Sequence, residues 1–281
     1  MSGRLVVCPT PIGNLEDVTL RVLAALREAD VVACEDTRRT RVLLDRYGVK
    51  ASLVSYHEHN ERSRAGELVG RMREGAVVAL VSDAGMPVIS DPGFELVRAS
   101  VAAGLPVEVL PGPSAALAAV VASGLPADAW HFVGFLPRKR AELERLFAAT
   151  AETLVAFESP RRVAASLAVL ASLDPARPVA VARELTKVHE EAIRGTLASF
   201  AALKEQEWLG EVTLVLGPQA VRDAPSLGEE EIDARIDEGL SQGRRAKDVA
   251  EALALETGRP KRELYARVIA RRGHARLRRS E

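Results

Sequence analysis

With 281 residues, 47% apolar side chains and a formal net charge of −1, the chain has the composition of a folded protein with more than one core, not of a disordered or collagen-like one. No apolar run nears the roughly 18–20 residues that a membrane span requires, and the Met1–Pro11 stretch shows no signal-peptide h-region. Two cysteines, Cys8 and Cys34, without CxxC spacing exclude a disulfide framework, so a cytoplasmic protein is expected.

Five short β-rich runs come first: residues 4–8 (RLVVC), 30–34 (DVVAC), 52–56 (SLVSY), 76–81 (AVVALV) and 106–110 (PVEVL). Between them, 15–29, 40–48, 61–75 and 94–104 space their apolar residues helically, and the last three close on glycine. Strands apolar on both faces and alternating with helices predict a parallel sheet covered by helices, an α/β domain over 1–112. After Leu110-Pro111-Gly112-Pro113-Ser114 an Ala-rich helix begins, and the alternation resumes. Strands are predicted at HFVGFL, TLVAFE, PVAVARE and EVTLVLG, separated by helices near 139–150, 160–172 and 196–207, a second α/β domain over 113–222. Three helices follow, near 228–242, 245–257 and 260–272, a small all-α module over 223–281. Nine of the 38 Lys/Arg and two of the 39 Asp/Glu fall in 259–281, so a mildly acidic body carries a basic tail. That asymmetry fits a polyanionic partner or a solvated terminal helix.

The strand ends hold the unusual residues. They are Pro9-Thr10-Pro11-Ile12-Gly13-Asn14, Glu35-Asp36-Thr37-Arg38, His57-Glu58-His59-Asn60, Ser82-Asp83-Ala84-Gly85 and Pro111-Gly112-Pro113-Ser114. In an open parallel sheet all five lie on one rim, where ligands bind. No two glycines are separated by a single residue and no Gly-Lys pair occurs, so neither the dinucleotide fingerprint nor the Walker A loop is present. Prolines pre-set turns that expose main chain, which suits a ligand carrying an adenine edge, ribose hydroxyls and an amino acid moiety. The Ser-Asp-x-Gly pattern occurs again at Ser90-Asp91-Pro92-Gly93, and there it is expected to start a helix, with Asp91 as N-cap and Pro92 at the first helical position.

PTPIGNLED, ACEDTR, SYHEHNE, VSDAGMPVISDPG, LPGPSA, GFLPRK, FESP and VARELTK, in this order, resemble the small-subunit ribosomal RNA (cytidine 2′-O) methyltransferases of the tetrapyrrole-methylase-like, class III superfamily. The match runs from about Arg4 to Gly217, with a helix-turn-helix-like, RNA-binding-like module behind it. Cys8 stands where a small aliphatic is usual, and Met86 where a small polar residue is. The resemblance implies two α/β domains with a cofactor cleft between them. It implies a homodimer, S-adenosylmethionine in that cleft, and methylation of a cytidine 2′-hydroxyl in the decoding region of 16S rRNA in the 30S subunit. Carried over by position, it assigns cofactor contacts to Pro9, Asp83, Gly85, Met86, Ile89, Ser114 and Ala115. From the second domain it assigns Glu158, Arg183, Glu184 and Leu185.

A ribose hydroxyl needs its proton accepted as it attacks, so a general base is expected. His57, Glu58 and Glu184 are the candidates, ahead of Lys187, which would first have to be deprotonated. His57-Glu58-His59 reads equally as a structural or RNA-positioning group, and no metal is expected, since methyl transfer needs none and no further ligand pair stands at recognisable spacing. Asp36, Arg38, His59 and Asn60 are expected on the RNA, with Arg138, Lys139, Arg140, Arg161 and Arg162 meeting phosphates or simply starting helices. Aromatic residues are only 4% of the chain, which favours recognition of a folded RNA by shape over a stacking surface. Two other activities fit the pattern: a tetrapyrrole methyltransferase, which leaves the basic tail unexplained, and a non-catalytic ribosome-assembly factor, which leaves the decorated strand ends unexplained.

Overall fold

The computed structural model describes residues 3–203, 207–219 and 227–277, which fall into two compact units, Met1–Pro218 and Gln219–Glu281. The boundary expected at 222/223 lies outside the described residues, as do 204–206 of the helix expected over 196–207.

The first unit contains two five-stranded sheets. One is built from β1 (Arg4–Cys8), β2 (Val31–Cys34), β3 (Leu53–Ser55), β4 (Val77–Val81) and β5 (Val107–Val109), in the order β3-β2-β4-β1-β5 with every pair parallel. Parallel neighbours require crossovers, which α1 (Leu20–Glu28), α2 (Thr37–Arg46), α3 (Glu61–Arg73) and α4 (Phe94–Ala102) supply. Along β1, Val6 and Cys8 join the core layer of Val22, Leu26, Leu43 and Leu44, while Leu5 and Val7 join that of Leu68, Met72 and Leu96. Two-sided burial is why these strands read as unbroken apolar runs, and each Val or Leu so buried is worth about 1.5–3 kcal/mol. Both cysteines are free and buried, and burial, then the charge of Glu108, pushes the Cys8 thiol up to about 12.

The segment predicted as one helix over 15–29 divides. A 3-10 turn at Leu15–Asp17 is capped by Asn14, and Thr19 then caps α1, its hydroxyl accepting from Val22 N at 3.1 Å. The start of α4 corrects another expectation: Gly93, not Asp91, is the N-cap, and Pro92 lies before the helix. At φ 136° position 93 favours glycine, and a Cβ there would come within 2.9 Å of Leu80 Cδ2. Asp91 is therefore left free of a capping role.

The second sheet has β6 (Trp130–Phe135), β7 (Thr153–Glu158), β8 (Pro178–Arg183), β9 (Glu191–Thr196) and β10 (Val212–Leu216), in the order β6-β7-β10-β8-β9. Only β6 and β7 run parallel; the other pairs are antiparallel. The strand β9 was not predicted. It is an edge strand that buries little beyond Ile193 and carries Glu191 and Arg194, so its apolar alternation is faint. The helix expected at 196–207 is the single-turn α8 (Leu197–Ala201), closed by a Thr196/Ser199 capping box. On one face of this sheet, α5 (Ala115–Ser123) packs through Ala116, Ala119 and Val120. On the other, α6 (Arg140–Ala149), α7 (Pro160–Leu173) and α8 enclose a core around Leu154, Leu167 and Trp208.

The second unit is the helical trio α9 (Glu229–Ser241), α10 (Ala246–Thr257) and α11 (Lys261–Leu277) around Ile232, Ile236, Val249, Leu253, Leu264 and Val268. Four of the nine basic residues of its tail are matched from within. Glu229, Asp233 and Asp237, spaced four apart on α9, meet Arg259, Arg267 and Arg271, and Lys261 reaches Glu251. Arg244, Arg245, Lys247, Arg262 and Arg272 are exposed and carry no ion pair among the described residues, whereas Arg278 and Arg279 lie outside them.

Candidate functional site

Because every strand of the first sheet points the same way, the loops after all five share one rim. The loops after β1 and β4 are stitched together: Thr10 and Gly85 exchange backbone hydrogen bonds of 2.9 Å, Thr10 Oγ1 donates to Ser82 O at 3.0 Å, and Ser82 Oγ to Gly85 O at 3.0 Å. Gly85, at φ 81°, keeps the wall open, since a Cβ there would already touch Ile12. The loop after β5 is pressed to that after β1, where Pro9 Cγ lies only 2.4 Å from where a Gly112 Cβ would stand.

Between this rim and the second sheet lies a cavity of about 350 Å³, at the small end of ligand sites. From the first sheet it is walled by Ile12, Gly85, Met86, Ile89 and Asp91, and by Ser114 and Ala115 where α5 begins. From the second come Phe135 and Phe157, then Glu158, and the approach to β10 over Gly210–Thr213. The first turn of a nine-residue helix, α5, leaves N–H groups unpaired there, which favours an anionic group such as a carboxylate. The loop from Met86 to Gly93 is strained: Val88 sits at φ 78° and Ser90 at φ 65°, conformations that cost on the order of 1–3 kcal/mol each for side chains of this kind.

Of the residues assigned to the cofactor, Gly85, Met86, Ile89, Ser114, Ala115 and Glu158 line the cavity, while Pro9, Asp83, Arg183, Glu184 and Leu185 do not. Pro9 supports the rim from behind. Asp83 turns towards β2, accepting from Asp36 N at 3.0 Å and facing Arg39 at 3.5 Å. Arg183 pairs with Glu191 within the β8–β9 hairpin, and Leu185 is buried beside Ile12. Glu184 accepts from Lys187 Nζ at 2.9 Å and Glu211 N at 3.0 Å, and those two bonds hold its carboxyl below the usual carboxylate range. Glu158 is fully enclosed by Ser159 N, Ser166 Oγ and Arg162.

The remaining candidates stand to the side. His57, Glu58, His59 and Asn60 follow β3, which is separated from β4 by β2, and none of them lines the cavity. His57 N donates to Asn60 Oδ1 at 2.9 Å, Asn60 Nδ2 lies 3.3 Å from His57 Nε2, and the two histidine rings meet edge-on at 5.8 Å. Asp36 caps α2 and grips Arg38, whose hydrogen bonds hold its carboxyl down to about 2. Arg138, Lys139, Arg140 and Arg161 are exposed, Lys139 and Arg140 pairing with Glu142 and Glu144. Arg162, in the first turn of α7, is engaged by Glu158 and by the carbonyls of Leu136 and Pro137.

Sequence reasoning missed Asp91, Phe135, Phe157 and Gly210–Thr213 as cavity residues. The repeated Ser-Asp-x-Gly was the signal for Asp91. Gly210 precedes a strand at φ 80°, where a Cβ would strike the Glu184 carboxylate, and it marked the close approach at β10.

Residues 4–201 match the family of Tetrapyrrole (Corrin/Porphyrin) Methylases. The chain is 45% identical to the "Ribosomal RNA small subunit methyltransferase I" of Micromonospora olivasterospora, over 95% of this chain and 87% of that one. It is 46% identical to the protein so named from Mesorhizobium japonicum, over 94% and 91%. The Thermotoga maritima protein of that name is 45% identical over 217 residues, 76% of this chain and 98% of its own length. Among solved structures, a uroporphyrin-III-C-methyltransferase from Thermus thermophilus shares the fold with a TM-score of 0.55, at 24% identity over 77% of this chain and 94% of that one. A cobalt precorrin-4 methyltransferase does so at 0.56 and 19%, over 77% and 95%.

Proposed function

Since the chain belongs to the ribosomal RNA small subunit methyltransferase I family, within the tetrapyrrole methylases, we propose that it transfers the methyl group of S-adenosylmethionine to a cytidine 2′-hydroxyl in the decoding region of 16S rRNA. The observation that carries this reading is the cavity at the carboxyl ends of a parallel sheet, walled on its far side by a second sheet. Its residues fit the donor: Gly85 leaves main chain open to an adenine edge or ribose, Met86, Ile89, Phe135 and Phe157 offer apolar contact, and the start of α5 suits the amino acid carboxylate. The bound donor supplies an electrophilic methyl on a sulfonium. The protein's own part is alignment, which supplies up to roughly 7–11 kcal/mol in favourable cases. The rRNA named for the relatives favours an RNA acceptor over a tetrapyrrole.

The same reading divides the chain into α/β domains over 1–112 and 113–222 and an RNA-binding helical module over 223–281, acting in the cytoplasm. No described helix is long and apolar enough to cross a membrane. Asp36, Arg38, His59, Asn60, Arg138, Lys139, Arg140 and Arg161 lie outside the cavity and are proposed to position the RNA. In the module, phosphate contacts fall to the unpaired Arg244, Arg245, Lys247, Arg262 and Arg272. Deleting residues 226–281 is expected to leave cofactor affinity by calorimetry unchanged and to weaken rRNA binding, with a shallower dependence of log K on log salt. Loss of cofactor binding would contradict the division. The Thermotoga maritima relative, accounted for by 217 residues, supports it.

A homodimer is part of the proposal. Helix α5 is apolar all round, and while one side packs on the second sheet, Leu117 and Val121 stay 54% and 83% exposed. Replacing both by Glu is expected to turn a dimer into a monomer by light scattering, without loss of fold by circular dichroism. An unchanged mass would remove α5 from the interface.

A further inference from the structure

Three carboxylates line the cavity, and two of them are occupied. Glu158 accepts from Ser159 N at 2.8 Å and Ser166 Oγ at 2.6 Å, with Arg162 at 3.2 Å, and its side chain is fully buried. Glu211 is paired with Lys187 at 3.1 Å. Asp91 forms no hydrogen bond or ion pair among the described residues, and it stands beside the apolar walls of Met86 and Ile89. Its loop is held against the second sheet, where a Cβ on Gly134 would come within 3.3 Å of Ser90 Oγ. The flanking Val88, Ser90 and Gly93 all take positive φ, so strained backbone holds the carboxylate in the cavity wall. Strain retained around an unpartnered polar group in a cavity is a mark of function and not of packing.

We infer that Asp91 is the proton acceptor for the attacking hydroxyl in this cavity. The inference rests on the methyl-transfer reading above. The 2′-oxygen bonds to the methyl carbon while the carbon–sulfur electron pair returns to sulfur, leaving a neutral thioether. Asp91 takes the hydroxyl proton and later releases it to solvent. The groups facing Asp91 suit it to this role. Burial first, then the charges of Glu35 after β2 and Asp83 after β4, raise its carboxyl to about 7. A base so poised is about half ionised at neutral pH and still basic enough to accept. Glu35 is itself raised by burial and then by Asp83 and Glu58, while Arg39 and His57 pull it down. The earlier candidates lack this combination, because Glu184 is tied to Lys187 and His57 and Glu58 stand two strands away.

The test uses the full-length protein, S-adenosylmethionine and small ribosomal subunits lacking the modification, in single-turnover transfer across pH 5.5–9. In the wild type the rate should fall with acid through an apparent pKa of about 7, and the Asp91 carboxyl carbon, followed by NMR, should titrate in parallel. Asp91→Asn should slow transfer about 10²–10⁴-fold and flatten that limb while calorimetric cofactor affinity and melting temperature stay unchanged. Glu35→Gln removes a like charge, which eases ionisation of Asp91, so the limb and the NMR titration should both move to lower pH. Wild-type transfer by Asp91→Asn, or a limb unmoved in Glu35→Gln, would overturn the assignment and leave the methyl-transfer reading intact. The Glu35 arm decides the matter even if Asp91→Asn misfolds. A wild type that binds no S-adenosylmethionine or modifies no rRNA would overturn the reading, and the base with it.

Discussion

Arg177→Met is expected to destabilise the first unit by more than about 3 kcal/mol, lowering its melting temperature by roughly 6–12 °C. Arg177 is 1% exposed and forms no ion pair within 4 Å among the described residues; it serves backbone instead. Its Nε donates to Gly217 O at 2.7 Å, and Nη2 donates to Thr150 O at 3.2 Å and Glu152 O at 2.9 Å. The guanidinium lies 4.5 Å from the centre of the Phe147 ring. One side chain thus ties the end of β10 to the connection between α6 and β7. Methionine preserves the stem's packing, strands the buried carbonyls of Thr150 and Gly217 at about 1–3 kcal/mol each, and removes the donor to the more exposed carbonyl of Glu152. Lysine should rescue little, because one ammonium cannot reproduce a planar fork. Urea denaturation followed by tryptophan fluorescence checks this, and a loss below about 1 kcal/mol would show that water takes over the carbonyls.

Gly13→Ala is expected to lower the transfer rate about 10²-fold while the protein stays folded. A Cβ at position 13 would lie 2.5 Å from Lys187 Cγ, 2.8 Å from Thr186 Oγ1 and 3.0 Å from Leu185 O. These atoms belong to the loop after β8, and they cannot simply retreat: Glu184 and Thr186 are at φ 50° and 68°, and Asn14 N donates to Thr186 Oγ1 at 3.0 Å. The cheaper response is for the first-sheet loop to move, and it carries Ile12, which lines the cavity. A shift of about 1 Å there misaligns a bound donor and acceptor. Calorimetry should show weaker cofactor binding alongside the slower transfer. Gly66→Ala is the control: it is inside α3 with nothing within 4 Å of the new methyl, so stability should rise by about 0.5–1 kcal/mol with the rate unchanged.

Both predictions depend on contacts between segments far apart in the chain, and that marks where reading residues in order stops working. The first sheet was legible from local pattern because two-sided burial makes β1, β2 and β4 continuous apolar runs, with periodic helices between them. The rim followed from parallel pairing, and the resemblance carried by SDAG and PGPSA identified Gly85, Met86, Ser114 and Ala115, which line the cavity. The second sheet was less legible. An antiparallel edge strand such as β9 pairs through backbone and buries little, so its residues carry almost no period.

The chemistry needed the third dimension most. A carboxylate's role depends on what surrounds it, and neighbours distant in sequence supply that. In the sequence Asp91 looked like a helix cap and Glu184 like a base. Folding gives the cap to Gly93 and brings Glu211 N onto Glu184 beside Lys187, leaving Asp91 unpartnered in the cavity wall. The basic tail reads as a free positive surface until α9 brings Glu229, Asp233 and Asp237 against α11. Strand, helix and rim arise from short-range periodicity, which a linear string contains. Ionisation, pairing and strain arise from distances between residues tens to hundreds of positions apart, which exist only once the chain has folded.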